Sequence, residues 1–200
     1  MNGTPEKRQR LTTAAAVLAH QKGFSNTTLA DIAKLADVPL GGVYYYFRSK
    51  DELAQAISDS RLNDIHALLE KIDRLPDPAA RLKALINVWV DDRETDALYG
   101  CPIGSLCYEL AKGRGPLSIA ASRLFTTLLE WSEAQFRLFG LTQKNSRMHA
   151  LHLISALQGI SLIANALGDP ALILAETKLL KDWLRQISGP PGKGTSARPD

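Results

Sequence analysis

Apolar residues recur every three or four positions along almost the whole chain, which is the spacing of one face of an α-helix. No run alternates apolar with polar residues for long enough to predict a β-strand. Glycine and proline interrupt the pattern and mark where successive helices end. The sequence therefore predicts an all-α fold of helices joined by tight turns.

Composition excludes several other classes of protein. The 200 residues are 45% hydrophobic and 22% charged, which excludes a disordered, collagen-like or disulfide-stapled chain. The chain has two cysteines, and its first thirty residues contain no charged-then-apolar leader. We therefore expect a protein of the reducing cytoplasm.

Positive charge is concentrated in the N-terminal quarter of the chain. The formal net charge is +3, of which the first fifty residues carry +4 and the remaining 150 carry −1. Lys7, Arg8 and Arg10 are therefore a candidate arm for contact with phosphates, although such a run can also be an ordinary solvated face.

Three short helices are predicted within this basic quarter. The first begins within residues 5–8 and ends at Gly23, the second spans residues 29–36, and the third spans residues 41–47. Thr28 and Asp31 have the spacing of a capping box for the second helix, and a proline turn precedes the third. This order is typical of a helix-turn-helix, whose second helix enters the major groove of DNA.

A small core can be assigned to these three helices, and it leaves polar groups on the outside. The apolar residues expected in the core are Leu11, Ala15, Leu18, Phe24, Leu29, Ile32, Ala33, Val38, Val43 and Phe47. The residues expected to face outward are Thr27, Thr28, Leu40, Gly42, Tyr44, Tyr45 and Lys50. Hydroxyl, amide and ammonium groups are the chemistry that contacts phosphates.

A set of residues in the N-terminal segment follows the pattern of a known family: Gly23-Phe24, Thr27-Thr28-Leu29, Asp31-Ile32-Ala33, Ala36, Val38, Gly41, Val43-Tyr44-Tyr45-Tyr46-Phe47 and Ser49-Lys50-Asp51-Glu52-Leu53. Through these residues the segment resembles the TetR family of transcriptional regulators over about residues 8–55. The resemblance implies a homodimer that places the recognition helix of each copy, residues 40–47, in successive major grooves of a palindromic operator in double-stranded DNA. It also implies a C-terminal helical bundle for ligand binding and dimerisation, with repression as the family default.

Carried onto this chain, the family pattern assigns roles to individual residues. Thr28 and Lys50 would contact phosphates, Tyr44 and Tyr45 would reach the DNA backbone, and position 40 would face base edges together with Gly42. The full set expected at DNA is Thr27, Thr28, Leu40, Gly41, Gly42, Tyr44, Tyr45 and Lys50.

The chain departs from the common family pattern at two points. Pro39, Leu40 and Gly42 carry no side-chain donor, which leaves contact with thymine methyls, backbone approach and DNA shape as ways to read the bases. Asp37 stands where the family usually has a turn glycine, and we expect it in the left-handed conformation.

Six further helical segments are predicted after the N-terminal unit. They span residues 49–74, 79–96, a short helix that ends at residue 111, and residues 117–139, 143–167 and 170–187. The four acids at the end of the 79–96 segment predict fraying there. The expected domains are a DNA-binding domain at 1–48, an effector-binding and dimerisation domain at 49–188, and a disordered tail at 189–200.

The segment between Arg147 and Asp169 has 21 residues without a formal charge, about the length of a membrane span. Its histidines and its amide and hydroxyl side chains would be costly in lipid, so we expect a helix covered by protein rather than a membrane contact. Together with the last helix it has more apolar surface than a monomer needs, which favours a dimer of four helices. The expected interface residues are His152, Ala156, Gly159, Leu172, Leu179 and Trp183.

A small apolar or aromatic effector is expected inside the C-terminal bundle, with no cofactor and no metal. The residues expected to line its site are Trp89, Cys101, Leu106, Phe125, Leu128 and Gln158.

Other interpretations stay open at this point. Cys101 precedes a proline in a predicted loop, so its thiol is a candidate sensor of oxidants or electrophiles, and Cys107 is a weaker one. A hydrolase that pairs Cys101 with a histidine, or a metal site at His149 and His152, lacks the supporting carboxylates and loop motifs, so no enzyme is expected. An adaptor that binds protein without DNA would not need Tyr44, Tyr45 and Lys50 outward.

Overall fold

The computed structural model describes residues 3–188, within which the chain forms ten α-helices and no strand. The predicted tail at 189–200 lies outside the described residues. The helices are α1 (Gly3–Lys22), α2 (Leu29–Leu35), α3 (Leu40–Tyr46), α4 (Lys50–Ile72), α5 (Pro78–Asp91), α6 (Arg93–Tyr99), α7 (Pro102–Ala111), α8 (Pro116–Arg137), α9 (Gln143–Leu167) and α10 (Ala171–Ser188). The predicted all-α fold is confirmed.

Helices α1, α2 and α3 pack around one small core, as the helix-turn-helix prediction requires. Leu11, Ile32, Val43 and Phe47 are almost fully buried in it. Two of the predicted core residues, Leu18 and Leu29, are only partly buried at its edge.

Local hydrogen bonds fix the ends of these helices. Thr28 caps α2: its hydroxyl accepts from the Asp31 amide at 3.1 Å, and the Asp31 carboxylate accepts from the Thr28 amide at 3.4 Å. Ser49 caps α4 by accepting from the Glu52 amide at 3.1 Å. Asp37 has φ of 52°, so the left-handed turn expected at this residue is present.

The prediction of a single helix at 79–96 is wrong, because helical structure is interrupted at Asp92 and the segment forms two helices, α5 and α6. Two of the acids expected to fray a helix end, Glu94 and Asp96, instead occupy the first turn of α6. Negative charge is favourable at a helix N-terminus, so exposed Glu94 stabilises the start of α6, whereas Asp96 is buried there.

The predicted loop at 99–106 is also shorter than expected. Helix α7 begins at Pro102, since proline fits the first helical position, and Cys101 is its N-cap.

Helices α8, α9 and α10 form the centre of the C-terminal bundle with α4 to α7. Helix α9 packs against α8, α10 and α6, and Leu153, Leu157 and Ala164 on it are fully buried. Its 25 residues have a mean hydropathy of 1.5 in their most apolar window and pass a length-and-composition test for a membrane span. Only 39% of that window is buried in this chain, so the expectation that protein covers the helix on nearly every side is met on its inner face and not on its outer face.

Candidate nucleic-acid interface and internal cavity

One side of α3 presents large uncharged side chains to solvent. Leu40 is 45% exposed, Tyr44 56% and Tyr45 75%, while Val43 on the opposite side is fully buried. The Tyr45 and Tyr46 rings meet edge to face at 4.9 Å, which fixes the second of the three consecutive tyrosines against the third. The outer side of α3 therefore offers two phenol hydroxyls and one leucine.

The two glycines of α3 face different surroundings. A Cβ atom built on Gly41 would meet nothing within 4 Å, whereas one on Gly42 would lie 2.8 Å from Cγ1 of Val38. Gly41 therefore points outward, while half-buried Gly42 lets α3 pack closely on the preceding turn; the base contact expected of Gly42 stays a prediction.

Thr27 is not an outward residue, which corrects a second expectation. It is 2% exposed, and its hydroxyl donates to the Gly23 carbonyl at 2.8 Å while its amide donates to the Phe24 carbonyl at 3.2 Å. These bonds close the turn between α1 and α2 and leave Thr28, the next residue, exposed at the start of α2.

Lys50 lies over the same turn and does not extend freely into solvent. Its ammonium donates to the Ser25 carbonyl at 2.9 Å and lies 4.9 Å from the centre of the Phe24 ring. Its positive charge is thereby held close to the start of α2.

The predicted basic arm, Lys7, Arg8 and Arg10, is only partly available for contact with phosphates. Arg10 donates to the Asp37 carbonyl at 3.0 Å and pairs with the Asp37 carboxylate at 3.3 Å, so it stabilises the turn between α2 and α3. Arg8 lies 4.9 Å from the centre of the Phe47 ring. Exposed Arg48 was not among the residues expected at DNA, although its place directly after α3 is a signal for it.

A cavity of about 550 Å³, partly open to solvent at exposed Tyr108 and Leu162, lies between α7, α8 and α9. Three of the six residues expected to form a ligand site, Cys101, Phe125 and Gln158, line it. The other lining residues are Gly100, Gly104, Ser105, Tyr108, Ser161, Leu162 and Asn165. The wall thus carries no acidic or basic side chain, and its polar groups are hydroxyls, carboxamides and one thiol.

More of these lining residues could have been predicted from their helical spacing. Ser105 and Tyr108 lie one turn apart on α7, and the α9 set continues from Gln158 at helical spacing to Leu162 and Asn165. The signal for these lining residues was therefore their helical spacing from residues, such as Gln158, that were already expected in the ligand site.

Trp89, Leu106 and Leu128 do not line the cavity, which corrects the other half of that expectation. All three are core residues, no more than 6% exposed. Trp89 lies behind the wall, where its indole N–H donates to the Ser161 hydroxyl at 2.9 Å.

Ser161 also contacts the buried carboxyl group of Asp96, which does not line the cavity. The Ser161 hydroxyl donates to Asp96 Oδ2 at 2.8 Å, and Asp96 is 3% exposed. Burial raises the pKa of Asp96 above its usual value, against the opposing hydrogen bond from Ser161.

The structure does not place either thiol as the sequence suggested. Cys101 is 7% exposed, and its sulfur accepts from the Gln158 carboxamide at 3.4 Å. Burial raises the pKa of Cys101 despite its place at the N-terminus of α7, and burial raises the pKa of Cys107 to about 12. An accessible loop thiolate, the basis of the sensor hypothesis, is not what the structure has.

Residues 3–188 contain no group of three or more metal-ligating His, Cys, Asp or Glu side chains. The two histidines of α9 belong instead to an aromatic cluster around Trp183, whose ring lies 5.5 Å from His149 and 4.8 Å from His152. Burial lowers the pKa of His149, and neighbouring His152 lowers it further.

The outer faces of α9 and α10 are apolar. Of the predicted interface residues, His152 and Leu179 are exposed, and a Cβ on Gly159 would enter open space. The other four are not fully exposed: Ala156, Leu172 and Trp183 are half-buried, like Gly159 itself. The exposed large apolar side chains on these two helices are Met148, Leu151, Leu162, Ile163, Leu167, Leu174 and Leu179.

Comparisons with known proteins agree on both parts of the chain. Residues 11–57 match the family described as bacterial regulatory proteins, tetR family, and residues 78–178 match the LmrA/YxaF-like transcriptional regulator C-terminal domain. An uncharacterized HTH-type transcriptional regulator in the lacX 3' region of Lactococcus lactis subsp. lactis is 29% identical over 184 residues, which are 90% of this chain and 94% of that protein. TtgR of Pseudomonas putida is 40% identical over 72 residues, which are 36% of this chain and 34% of that regulator.

Solved structures share the fold. A TetR transcriptional regulator from Legionella pneumophila superimposes with a TM-score of 0.80 at 19% identity, covering 92% of this chain and 98% of that one. A TetR regulator from Chloroflexus aurantiacus gives 0.81 at 20% identity, covering 93% and 98%.

Proposed function

Because the chain belongs to the TetR family of transcriptional regulators, we propose that it binds a palindromic operator as a cytoplasmic homodimer and releases it when a neutral, mainly apolar molecule fills the cavity. The observation that carries this proposal is the exposed side of α3, where Leu40, Tyr44 and Tyr45 face solvent opposite a buried Val43. A helix held by its inner side and bare on its outer side is suited to the major groove.

On the DNA, Leu40 and Gly41 face the base edges. Leucine can pack on thymine methyl groups, and a residue without a side chain allows close backbone approach, so this reading depends on apolar contact and DNA shape. Tyr44, Tyr45 and exposed Arg48 lie beside them and contact phosphates, which set register and orientation.

The effector is neutral because nothing charged lines the cavity. A volume of about 550 Å³ falls within the range of small-molecule sites, in which apolar walls supply most of the contact and a few polar groups fix orientation. Phe125 and Leu162 supply the apolar contact, while Ser105, Gln158 and Asn165 offer hydrogen bonds to hydroxyl or carbonyl groups of the ligand.

Dimerisation places α9 and α10 of two copies against each other. Their exposed apolar side chains are a surface that a soluble protein rarely leaves in water. Gly159 would allow close approach of two α9 helices, because nothing of its own protomer lies over it. The alternative functions have less support, since buried Cys101 offers no ready nucleophile for a hydrolase.

Selection of duplexes from a random pool tests this function. We expect the enriched sequences to be palindromic, and we expect Tyr44→Ala to weaken binding of the enriched duplex by about tenfold, the cost of one hydrogen bond to a charged group. Leu138→Ala, at an exposed apolar residue that caps the end of α8 outside the DNA-contacting set, is the control and should bind as the wild type does. Enrichment of no duplex, or equal losses in both variants, would contradict the proposal.

A further inference from the structure

The turn between α1 and α2 is bound by a carboxylate from the C-terminal bundle. Glu109, on α7, accepts from the Phe24 amide through Oε1 and from the Ser25 amide through Oε2, each at 2.9 Å. Burial disfavours ionisation of Glu109, but the hydrogen bonds from Ser25 and Phe24 outweigh it and hold its pKa below the usual value. The carboxylate is therefore charged and bound at both oxygens.

The same turn is held from its other side by α4. The Lys50 ammonium donates to the Ser25 carbonyl at 2.9 Å. Gly23, with φ of +86°, allows the close approach, because a Cβ there would lie 3.2 Å from Glu109 Oε1. The residues that lead into α2 are thus fixed between a bundle carboxylate and the helix that follows α3.

Helix α7, which carries Glu109, is also a wall of the cavity. Gly104, Ser105 and Tyr108 of α7 line the cavity, and Glu109 follows directly. Gly104 packs so closely on α9 that any Cβ there would clash with Gln158 Oε1. A molecule or side chain inserted between α7 and α9 must therefore displace Gln158 or move α7.

A polar cleft on the far side of this wall reaches α1. Ser105 and Asn165 line both the cavity and this second space, which is also lined by His20 and Glu109. The ring of His20 meets the Gly100 carbonyl at 2.6 Å. Ser105 and Asn165 therefore stand between the cavity and the cleft that borders α1, and Glu109 lines that cleft and binds the α1–α2 turn.

We propose that Glu109 is the positioning residue through which occupancy of the cavity changes the placement of α2 and α3. A displacement of α7 is transmitted to the Phe24 and Ser25 amides because both carboxylate oxygens are engaged there. This inference rests on the proposed function and names its regulation. Coupling of this kind is reciprocal, so DNA held by α3 must in turn oppose displacement of α7.

A double-mutant cycle tests the coupling without knowledge of the effector. Gly104→Val inserts a side chain between α7 and α9. Glu109→Gln removes the charge and leaves only one oxygen to accept from the Phe24 and Ser25 amides, because an NH2 group replaces the other oxygen. We expect Gly104→Val to weaken binding of the selected duplex by at least about tenfold in the wild-type background and by less than about threefold in the Glu109→Gln background. Gly113→Val, at an exposed glycine just beyond α7, is the matched control and should change neither.

Hydrogen exchange of residues 23–28 provides a second readout that requires no DNA. Exchange should be faster in Glu109→Gln and in Gly104→Val than in the wild type, and combining the two changes should add little. If Gly104→Val does not fold, Glu109→Gln alone decides the role of Glu109: faster exchange of residues 23–28 than in the wild type supports it, and unchanged exchange would overturn it.

Two results would overturn the inference: equal weakening by Gly104→Val in both backgrounds, or no effect of Gly104→Val on the wild type. Failure to enrich any duplex would overturn the proposed function instead, and the exchange measurement would still decide the role of Glu109.

Discussion

In the DNA-binding unit, adjacent residues of the same type have different structural roles. Thr27 and Thr28 are adjacent, yet one closes a turn with its hydroxyl buried and the other caps α2 in solvent. Gly41 and Gly42 differ in the same way, since only Gly42 is in close contact with Val38. Which residues can face DNA is therefore decided by packing distances of a few ångströms.

The two glycines give the first prediction. Gly42→Ala places a Cβ against Val38, and we expect it to lower the free energy of unfolding by about 1–3 kcal/mol, as overpacking does. Gly41→Ala has open space, and alanine is the better helix former, so it should stabilise by up to about 1 kcal/mol. Urea unfolding of both variants measures the difference, and equal effects would contradict the assigned directions.

Asp96 gives a prediction for pH dependence. Its pKa is raised first by burial and also by Asp92, while Ser161 and His20 oppose the rise. The folded state therefore holds the proton more tightly than the unfolded chain, and the ionised carboxyl destabilises the fold as pH rises above 3.8.

Asp96→Asn keeps an acceptor for Ser161 and removes this charge. We expect the variant to have the higher midpoint of thermal unfolding near pH 7 and to lose that advantage at about pH 3, where both states of the wild type are protonated. Asp91→Asn, at an exposed carboxyl, is the control. An advantage that persists unchanged in acid would contradict the explanation by burial.

The two cysteines give a third prediction at this scale. Because burial raises the pKa of both thiols, we expect a quinone to modify them at least about tenfold more slowly in the folded protein than in urea. Intact mass against time measures the rates. Rapid modification of Cys101 with loss of duplex binding would restore the thiol-sensor hypothesis.

At the scale of elements, helices with local start and stop signals could be predicted from the sequence. The bounds of α9 match the prediction at both ends, since Thr142 caps it and Gly168 ends it in the left-handed conformation. The break at Asp92 could not be found in the same way, because the apolar spacing continues through it and no glycine or proline marks it.

Contacts between residues far apart in the sequence explain why parts of the candidate site could not be predicted. Glu109 and Ser25 are 84 residues apart, and nothing in either local pattern predicts that a carboxylate of α7 binds that turn. Trp89 is the kind of aromatic residue expected in a ligand site, but its indole lies behind the residues that line the cavity and donates to Ser161. Periodicity identifies an inward face without saying which inward residues meet a cavity.

Helices α9 and α10 give the prediction at this scale. Gly159→Glu places a charge on the exposed face of α9, and we expect it to raise the dissociation constant of the dimer by at least about tenfold, because an unpaired charge would be buried in the interface. Asn63→Glu, at an exposed position on α4, is the control. Sedimentation at several protein concentrations measures the constants, and a wild-type chain that stays monomeric at all of them would contradict the assigned interface.

At the scale of the whole molecule, the parts form one sequence of contacts from the cavity to α2 and α3. The uncharged cavity is bounded by α7, α7 holds the α1–α2 turn through Glu109, and that turn leads into the two helices of the DNA-binding unit. The outer faces of α9 and α10 stay free to join a second copy. We propose that a dimer built this way carries two recognition helices whose spacing depends on the state of both cavities.

The stoichiometry of the complex with the selected palindrome tests this account most directly. Analytical ultracentrifugation of a fluorescent duplex, titrated with the protein, should give two chains per palindrome, and a duplex with one half-site scrambled should bind far more weakly. One chain per palindrome, or equal affinity for the intact and half-scrambled duplexes, would contradict the claim that this chain acts on DNA as a dimer of recognition helices.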